Sequence, residues 1–415
     1  MMMDFALQAV TRIINEGAYC NIAVNEVLQK ANFSNHEKRL FTHIVLGTVE
    51  NKIRIDYYLA PLIKGKRIKP YLKNTLRMGF YMLDEMRLAP HYVVNTLVQM
   101  IKKQDFKGSQ FVNGVLRSYQ QLPKPDLTKL PRKEYWHLKF SMPLDLLNLL
   151  IDQYPDRVES ILEEMQKPTP NYYRINTLKI KPEEAVRLLQ KDKIDFQIED
   201  DCLITKTSLL NHSLFIEGKI IAQNPSSIKV AKTVGPKPND VVLDICAGLG
   251  TKSMHLADLM ENRGEIVACD IYPHKLRLVE ESAKKLGVEI VKTVLADATV
   301  YRFEKKFDHV LVDAPCSGLG VMAHKVDLKY QMTLEKITEL TELQKKILEN
   351  AAGFVKNGGT LTYSTCTINK NENEEQIKQF LSNHQEFEKV YEASFLPGVS
   401  GDGFYICKMI RKDCM

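Results

Sequence analysis

The chain has eight cysteines, at 20, 202, 246, 269, 316, 366, 407 and 414, yet no Cys-x-x-Cys pair. That removes the usual signature of structural zinc. The chain is also far larger than disulfide-stapled secreted domains, so most of these thiols are expected to be small buried hydrophobes. No apolar run approaches the length that spans a bilayer. The opening "MMMDFALQAV" has an acid at Asp4 and no basic segment, which argues against a signal peptide and makes the cytoplasm the expected compartment. There is one tryptophan, Trp136, expected to anchor helices, and neither an internal repeat nor a low-complexity tract. What remains, at 415 residues with 44% apolar and 26% charged side chains, is a globular protein of two to four domains.

Charge is unevenly placed. Residues 1–135 hold 21 Lys and Arg against 11 Asp and Glu, a net +10, which leaves −4 for the rest of a chain of net +6. The stretch "LIKGKRIKPYLKNTLR" (62–77) carries Lys64, Lys66, Arg67, Lys69, Lys73 and Arg77 without an acid. Such a run is by default a solvated face. A basic domain joined to a mildly acidic one also suits a polyanion-docking module beside a catalytic one, and nucleic acid is the partner this favours.

Apolar spacing of three and four residues predicts helices from 4 to about 120. "QQLPKPDLTKLP" (120–131) breaks the pattern, and further helices lead to "PTPNYYRINTLKI". From there short strands surround a helix at 182–190. After "GPKPND" (235–240) the runs "VVLDIC", "GEIVACD", "EIVKTVLAD", "FDHVLVD" and "GGTLTYSTC" alternate with helical segments near 251–262, 273–287, 333–356 and 371–383. Strands alternating with helices predict a mostly parallel sheet covered on both faces. The chain therefore divides into a helical domain at 1–125, linker helices at 126–168, a small α+β unit at 169–235 and an α/β domain at 236–415.

Ligands of such sheets sit beyond the strands' carboxyl ends. Asp244, Asp270, Asp297, Asp313 and Cys366 all fall there. Gly248 and Gly250 let the backbone turn tightly toward a ligand, and the helix from Thr251 offers free N–H groups, although any strand-to-helix turn can use glycine. Asp270 is placed to accept ribose hydroxyls, or to serve a turn or helix cap; Asp297 lies where an adenine edge would be, or is a turn aspartate. Acids around the rim suit the sulfonium of S-adenosylmethionine better than the pyrophosphate of NAD. Lys252 is either a support of that pocket or a snorkelling surface lysine. Asn224-Pro225 is a turn signal, with Ser226 or Ser227 a candidate cap.

"DAPCSGLG" places Cys316 just past the fourth strand, and "YSTC" places Cys366 past the fifth. If those strands are neighbours, both thiols overlook one edge. Carbon 5 of cytosine is too weak a nucleophile to take a methyl group directly. A thiolate added at carbon 6 makes it enamine-like, an acid at N3 absorbs charge, and a second group removes the carbon 5 proton. Two cysteines and Asp313 meet that need; a single strand-end cysteine would more often be inert.

"VLDICAGLGTKSMH", "DAPCSGLGV" and "YSTCTINKNENEEQI" resemble the motifs of the Sun/NOL1/NOP2-type RNA 5-methylcytosine methyltransferases, as do "RINTLK", "AQNPSS" and "DGFYICK". The first 120 or so residues, ending "FVNGVLRSYQ", resemble the NusB-like antitermination-factor domain of the bacterial small-subunit rRNA member. The resemblance implies an α/β Rossmann-like methyltransferase domain with a mostly parallel seven-stranded sheet, preceded by an all-α NusB-like domain and a small α+β RNA-binding unit. It implies Cys366 as nucleophile, Cys316 as the group assisting release, and Asp313 at the reacting centre. Cys246, Ala247, Gly248, Leu249, Gly250, Thr251 and Lys252, with Asp270, Asp297 and Asp313, would hold S-adenosylmethionine. One cytosine of 16S ribosomal RNA would be the target, with no metal and no membrane; a monomer is the default. The Pro-Cys setting by itself favours Cys316 as the nucleophile.

Two places depart from the family's pattern. Gly248-Leu249-Gly250-Thr251-Lys252 stands for Ala-Pro-Gly-Gly-Lys, losing a proline's fixed φ and one glycine. Ala323-His324-Lys325-Val326-Asp327 stands for Arg-Arg-x-Pro-Asp. The competing readings are a non-catalytic RNA-binding assembly or transcription factor with a degraded donor loop, and a C5 methyltransferase acting on another RNA, on DNA or on free nucleotides. Calorimetry with S-adenosylmethionine separates the first, matched substrates the second.

Overall fold

The computed structural model describes residues 1–65, 67–398 and 401–413. The chain divides into two units, residues 1–166 with 324–334, and residues 167–323 with 335–415.

The first unit is helical. Its helices start where the local chemistry allows: Ser34 and Glu37 form a reciprocal capping box, Asp105 accepts the Gly108 N–H, and Pro70 and Pro90 occupy first-turn positions where no N–H is needed. The helix Pro70–Asp84 is central. Leu72, Leu76, Met78, Phe80 and Met82 are all buried, each contributing about 1.5–3 kcal/mol by leaving water. The linker helices, Arg132–Lys139, Leu144–Gln153 and Val158–Glu164, belong to this unit. Trp136 is buried there, with the Arg132 guanidinium over its ring.

Residues 324–334, expected within the α/β domain, pack instead into the helical unit. Val326 joins its core. Asp327 accepts the Cys20 N–H at 3.2 Å and the Gln331 amide at 2.8 Å. Tyr330 donates to the Glu50 carbonyl at 3.0 Å, with the Lys52 ammonium 4.2 Å from its ring centre. Lys329 is buried and donates to the Phe140 carbonyl; burial pushes its pKa down to about 8, with Glu50 opposing.

The second unit holds two sheets. The smaller contains β1 (Asn171–Ile175), β2 (Gln197–Glu199), β3 (Cys202–Thr205) and β4 (Ile220–Ala222), antiparallel in the order β2-β3-β1-β4. It packs on the helix Pro182–Lys191 through Tyr173, Leu189 and Leu203. Arg174 reaches out of β1 to form a buried ion pair with Asp258 and a hydrogen bond to Gln223. Asn224, rather than Ser226 or Ser227, caps the helix Pro225–Val234, because its side chain sits before the proline and accepts the Ser226 N–H.

The larger sheet contains β5 (Val241–Asp244), β6 (Glu265–Asp270), β7 (Val291–Leu295), β8 (Phe307–Asp313), β9 (Val355–Thr365), β10 (Phe387–Phe395) and β11 (Phe404–Arg411), in the order β10-β11-β9-β8-β5-β6-β7. Five strands are parallel; β11 runs antiparallel to β9 and β10. Strand order reverses at β5, so the edge above β5, β8 and β9 is the switch point where such sheets bind ligands. The helix expected at 333–356 ends at Ala352. Val355 already pairs with Phe307, and the register shift after it absorbs the Gly358-Gly359 pair within β9.

Candidate active site

Parallel pairing brings the two cysteines together. Asp313 of β8 lies opposite Ser364 of β9, so Cys316, three residues past the one, and Cys366, two past the other, leave the sheet side by side. The Ala314 N–H donates to the Ser364 carbonyl at 2.9 Å, and the Gly320 N–H to the Cys366 carbonyl at 3.1 Å. The Sγ atoms of Cys316 and Cys366 are 3.3 Å apart. Gly320 lets the chain at Gly403 pack directly on this loop: a Cβ there would lie 2.0 Å from the Gly403 carbonyl oxygen. The hydrogen bond with Cys366, then burial, raise the Cys316 thiol well above its ordinary pKa, with Glu372 adding to the effect.

Asp313 lies beside the pair. One carboxylate oxygen accepts the Lys252 ammonium at 2.6 Å, the other the Ser364 hydroxyl at 2.9 Å. Lys252 is thus a member of the site and not a surface lysine. Burial alone would lower its pKa; Asp313, then Cys366 and Asp244, carry it above the ordinary value.

Between β5 and the helix Thr251–Leu259, the chain turns through Gly248 and Gly250 at φ 58° and 77°. The two left-handed positions of the loop therefore both carry glycine. Thr251 is the first helical residue, where a side chain costs nothing, and Leu249 points to solvent at 59% exposure. Leucine and threonine in place of the family's proline and glycine thus leave the loop's turn intact. Open space lies above Gly248, whereas a Cβ at Gly250 would lie 3.0 Å from a Val279 methyl. The Gly248 N–H donates to Asp270 at 3.1 Å; Asp270 also accepts the Tyr272 N–H and the Lys275 ammonium. Asp297 is exposed and one of its oxygens is taken by Thr299, the turn arrangement of a strand-end aspartate. Burial, with Asp244, Asp313 and Asp270 around it, pushes the Cys246 thiol well up.

Beneath the loop Asp244 is fully buried. Its Oδ2 accepts the Ser253 hydroxyl at 2.6 Å, while Oδ1 has no partner among the described residues. Burial raises its pKa to about 7, and Asp313 adds to the shift. An orphaned buried carboxylate oxygen, Asp270 and Asp313 nearby, and a glycine turn open on one side fit a cationic ligand such as S-adenosylmethionine.

Two residues escaped the sequence reading, Glu372 and Asn373. Their stretch "NKNENEEQI" reads as a loop with acids near a helix start, which describes Glu374 and Glu375, but Glu372 and Asn373 are buried. The basic stripe divides. Lys64, Arg67 and Lys69 are exposed, and Lys69 pairs loosely with Asp105 at 3.4 Å; Lys66 lies outside the described residues. Lys73 is half-buried, 3.5 Å from Asp56. Arg77 is buried, donating to both oxygens of Asp56 and to Asn74, which withdraws it from any phosphate. Among the described residues no His, Cys, Asp and Glu cluster is arranged to hold a metal ion, and no helix is long and apolar enough to cross a membrane.

Residues 231–410 match the family described as 16S rRNA methyltransferase RsmB/F, residues 4–121 the NusB family, and residues 142–206 the ferredoxin-like domain of RsmF/B-like methyltransferases. The chain is 34% identical to the probable ribosomal RNA small subunit methyltransferase B of Bacillus subtilis, over 99% of this chain and 98% of that protein. It is 30% identical to ribosomal RNA small subunit methyltransferase B of Proteus mirabilis, over 99% of each. The crystal structure of the protein named PH0851 is similar with a TM-score of 0.84 at 27% identity, covering 98% of both chains.

Proposed function

Because the chain belongs to the 16S rRNA methyltransferase RsmB/F family, we propose that it methylates carbon 5 of one cytosine in small-subunit ribosomal RNA through a covalent bond from Cys366 to carbon 6. The family is S-adenosylmethionine-dependent. When bound, that group supplies an electrophilic methyl on a sulfonium; the 246–252 loop with Asp270, Asp297 and Asp313 would hold it, with Asp244 beneath.

The thiolate of Cys366 adds to carbon 6, and the displaced electrons move through the ring toward N3. The Asp313–Lys252 pair meets that charge and delivers a proton to N3. Carbon 5, now the nucleophilic end of an enamine, takes the methyl group. Cys316 removes the carbon 5 proton; the electrons restore the ring double bond as the carbon 6–sulfur bond breaks. Cys366 leaves as thiolate and N3 returns its proton. A thiol as weakly acidic as Cys316 gives a strong base once ionised, which suits this step. The exposed Lys64, Arg67 and Lys69 and the four-stranded unit hold the RNA, the lysines and arginine through its phosphates.

The observation that carries this reading is the 3.3 Å separation of the Cys316 and Cys366 sulfurs, with Asp313 and Lys252 beside them. The test is to incubate the full chain with methyl-labelled S-adenosylmethionine and small-subunit ribosomal RNA, then digest and weigh the nucleosides. Label on 5-methylcytosine is expected, and none from Cys366→Ala. Label on another base or atom overturns the proposal.

A further inference from the structure

Each cysteine is followed by a hydroxyl residue, Ser317 and Thr367. The two hydroxyls are 2.8 Å apart, and both reach one carboxylate, that of Glu372. Its Oε1 accepts the Ser317 N–H at 2.8 Å and the Gln344 amide at 2.9 Å. Its Oε2 accepts the Ser317 hydroxyl, the Asn369 amide at 2.9 Å and, longer, the Thr367 hydroxyl at 3.5 Å. Glu372 is fully buried and these donors are all neutral. From the same stretch Asn373 brackets Cys366, accepting the Thr365 hydroxyl at 2.6 Å and donating to the Thr367 carbonyl at 3.0 Å.

Burying a carboxylate without a cation is costly, and an apolar filler would close the space more cheaply. What a carboxylate does that no neutral side chain can is accept on both oxygens at once, with no donor of its own to misdirect. That property matters only if the donors must be fixed together. Two of them, the Ser317 and Thr367 hydroxyls, come from loops fifty residues apart, each next to a sulfur, and Gln344 ties both to the helix Leu334–Ala352.

We propose that Glu372 is a positioning residue of the methyl transfer, holding the Cys316 loop and the Cys366 loop as one rigid piece so that both sulfurs face the same pyrimidine. It acts through Ser317 and Thr367 and touches neither RNA nor the methyl donor. The inference rests on the two-cysteine reading of the function. A negative charge so close also opposes ionisation of Cys316, which gives the role a signature that packing lacks.

The test compares Glu372→Gln, Glu372→Asp and Ser317→Ala in the full chain. Glutamine keeps its oxygen toward the Ser317 N–H and Gln344, and the Ser317 and Thr367 hydroxyls can turn to accept from its amide, so that as the charge goes only the Asn369 amide loses its acceptor. Expected for Glu372→Gln are kcat lower by about 100-fold, an unchanged Kd for S-adenosylmethionine, and iodoacetamide alkylation of Cys316, followed by peptide mass spectrometry, displaced to lower pH. Glu372→Asp, which keeps the charge and loses the reach, lowers kcat and leaves that profile in place. A Glu372→Gln protein with kcat and alkylation profile both unchanged overturns the proposal. Should it not fold, as loss of S-adenosylmethionine binding would reveal, Ser317→Ala decides: a lower kcat at unchanged donor affinity supports the role, and wild-type kcat overturns it. The two-cysteine reading fails by a different route, when Cys316→Ala forms no RNA adduct, and the alkylation profile needs neither RNA nor donor.

Discussion

The sulfurs of Cys316 and Cys366 lie 3.3 Å apart although fifty residues separate them in the chain. At that distance a proton on one is shared with the other, and ionisation of both is opposed by their like charge. Ionisation of Cys316 is opposed by its neighbour, and in the proposed reaction attachment of Cys366 to the pyrimidine removes that neighbour and leaves Cys316 to deal with the proton.

Separate substitutions should resolve the two roles. Cys316→Ala still adds and methylates but cannot remove the carbon 5 proton, so a protein–RNA adduct that survives denaturation accumulates. Cys366→Ala forms none. Denaturing gel electrophoresis with labelled RNA reads both. Reversed outcomes exchange the two roles.

Donor binding should depend on pH through Asp244. Its pKa stands at about 7, far above the ordinary carboxyl, so at pH 6 most molecules carry a neutral Asp244 and a cation gains little from it. S-adenosylmethionine favours the ionised form, and binding expels the proton. Affinity should therefore rise roughly tenfold from pH 6 to pH 8 and level above. Calorimetry in two buffers of different ionisation enthalpy measures both the affinity and the released proton. Asp244→Asn should flatten the curve; a wild-type curve that is already flat would remove Asp244 from the donor site.

The basic stretch should split into two behaviours. Neutralising Lys64 and Arg67 weakens RNA binding alike across sequences and lowers the slope of log affinity against log salt by about 0.7–0.9 for each phosphate no longer neutralised, without changing the melting temperature. Arg77→Ala does the opposite. It removes two hydrogen bonds from Asp56, which among the described residues keeps only Lys73 at 3.5 Å, and one from the buried Asn74, costing about 1–3 kcal/mol of stability while the salt slope stays. Filter binding across salt and thermal melts separate the two sets.

The parallel sheet was legible because its strands are short Val-, Ile- and Leu-rich runs punctuated by acids and glycines, a pattern that local sequence carries. The meeting of Cys316 and Cys366 was legible once β8 and β9 were taken as neighbours, since both thiols follow strand ends. Glu372 was not, because Glu374 and Glu375 stand close by in the chain and nothing local says which of these acids turns inward. Arg77 was misread for a related reason: the helix Pro70–Asp84 is buried on nearly every side, so its basic residues do not share one solvent face. Lys252 had two readings that only the position of Asp313 could decide.

Residues 324–334 have a consequence for the order in which this protein comes into being. The helical unit is finished by a strip of chain that carries Val326 and Tyr330 into it, and that strip is translated only after residues 167–323. At about 5–20 residues per second the wait is on the order of ten to thirty seconds. Through that interval the newborn N-terminal half lacks the side chains that Val326 and Tyr330 later supply to its core. Its last piece arrives only once Cys316 has been made, so the helical half is completed while β9, the partner of β8 in the larger sheet, is still to come.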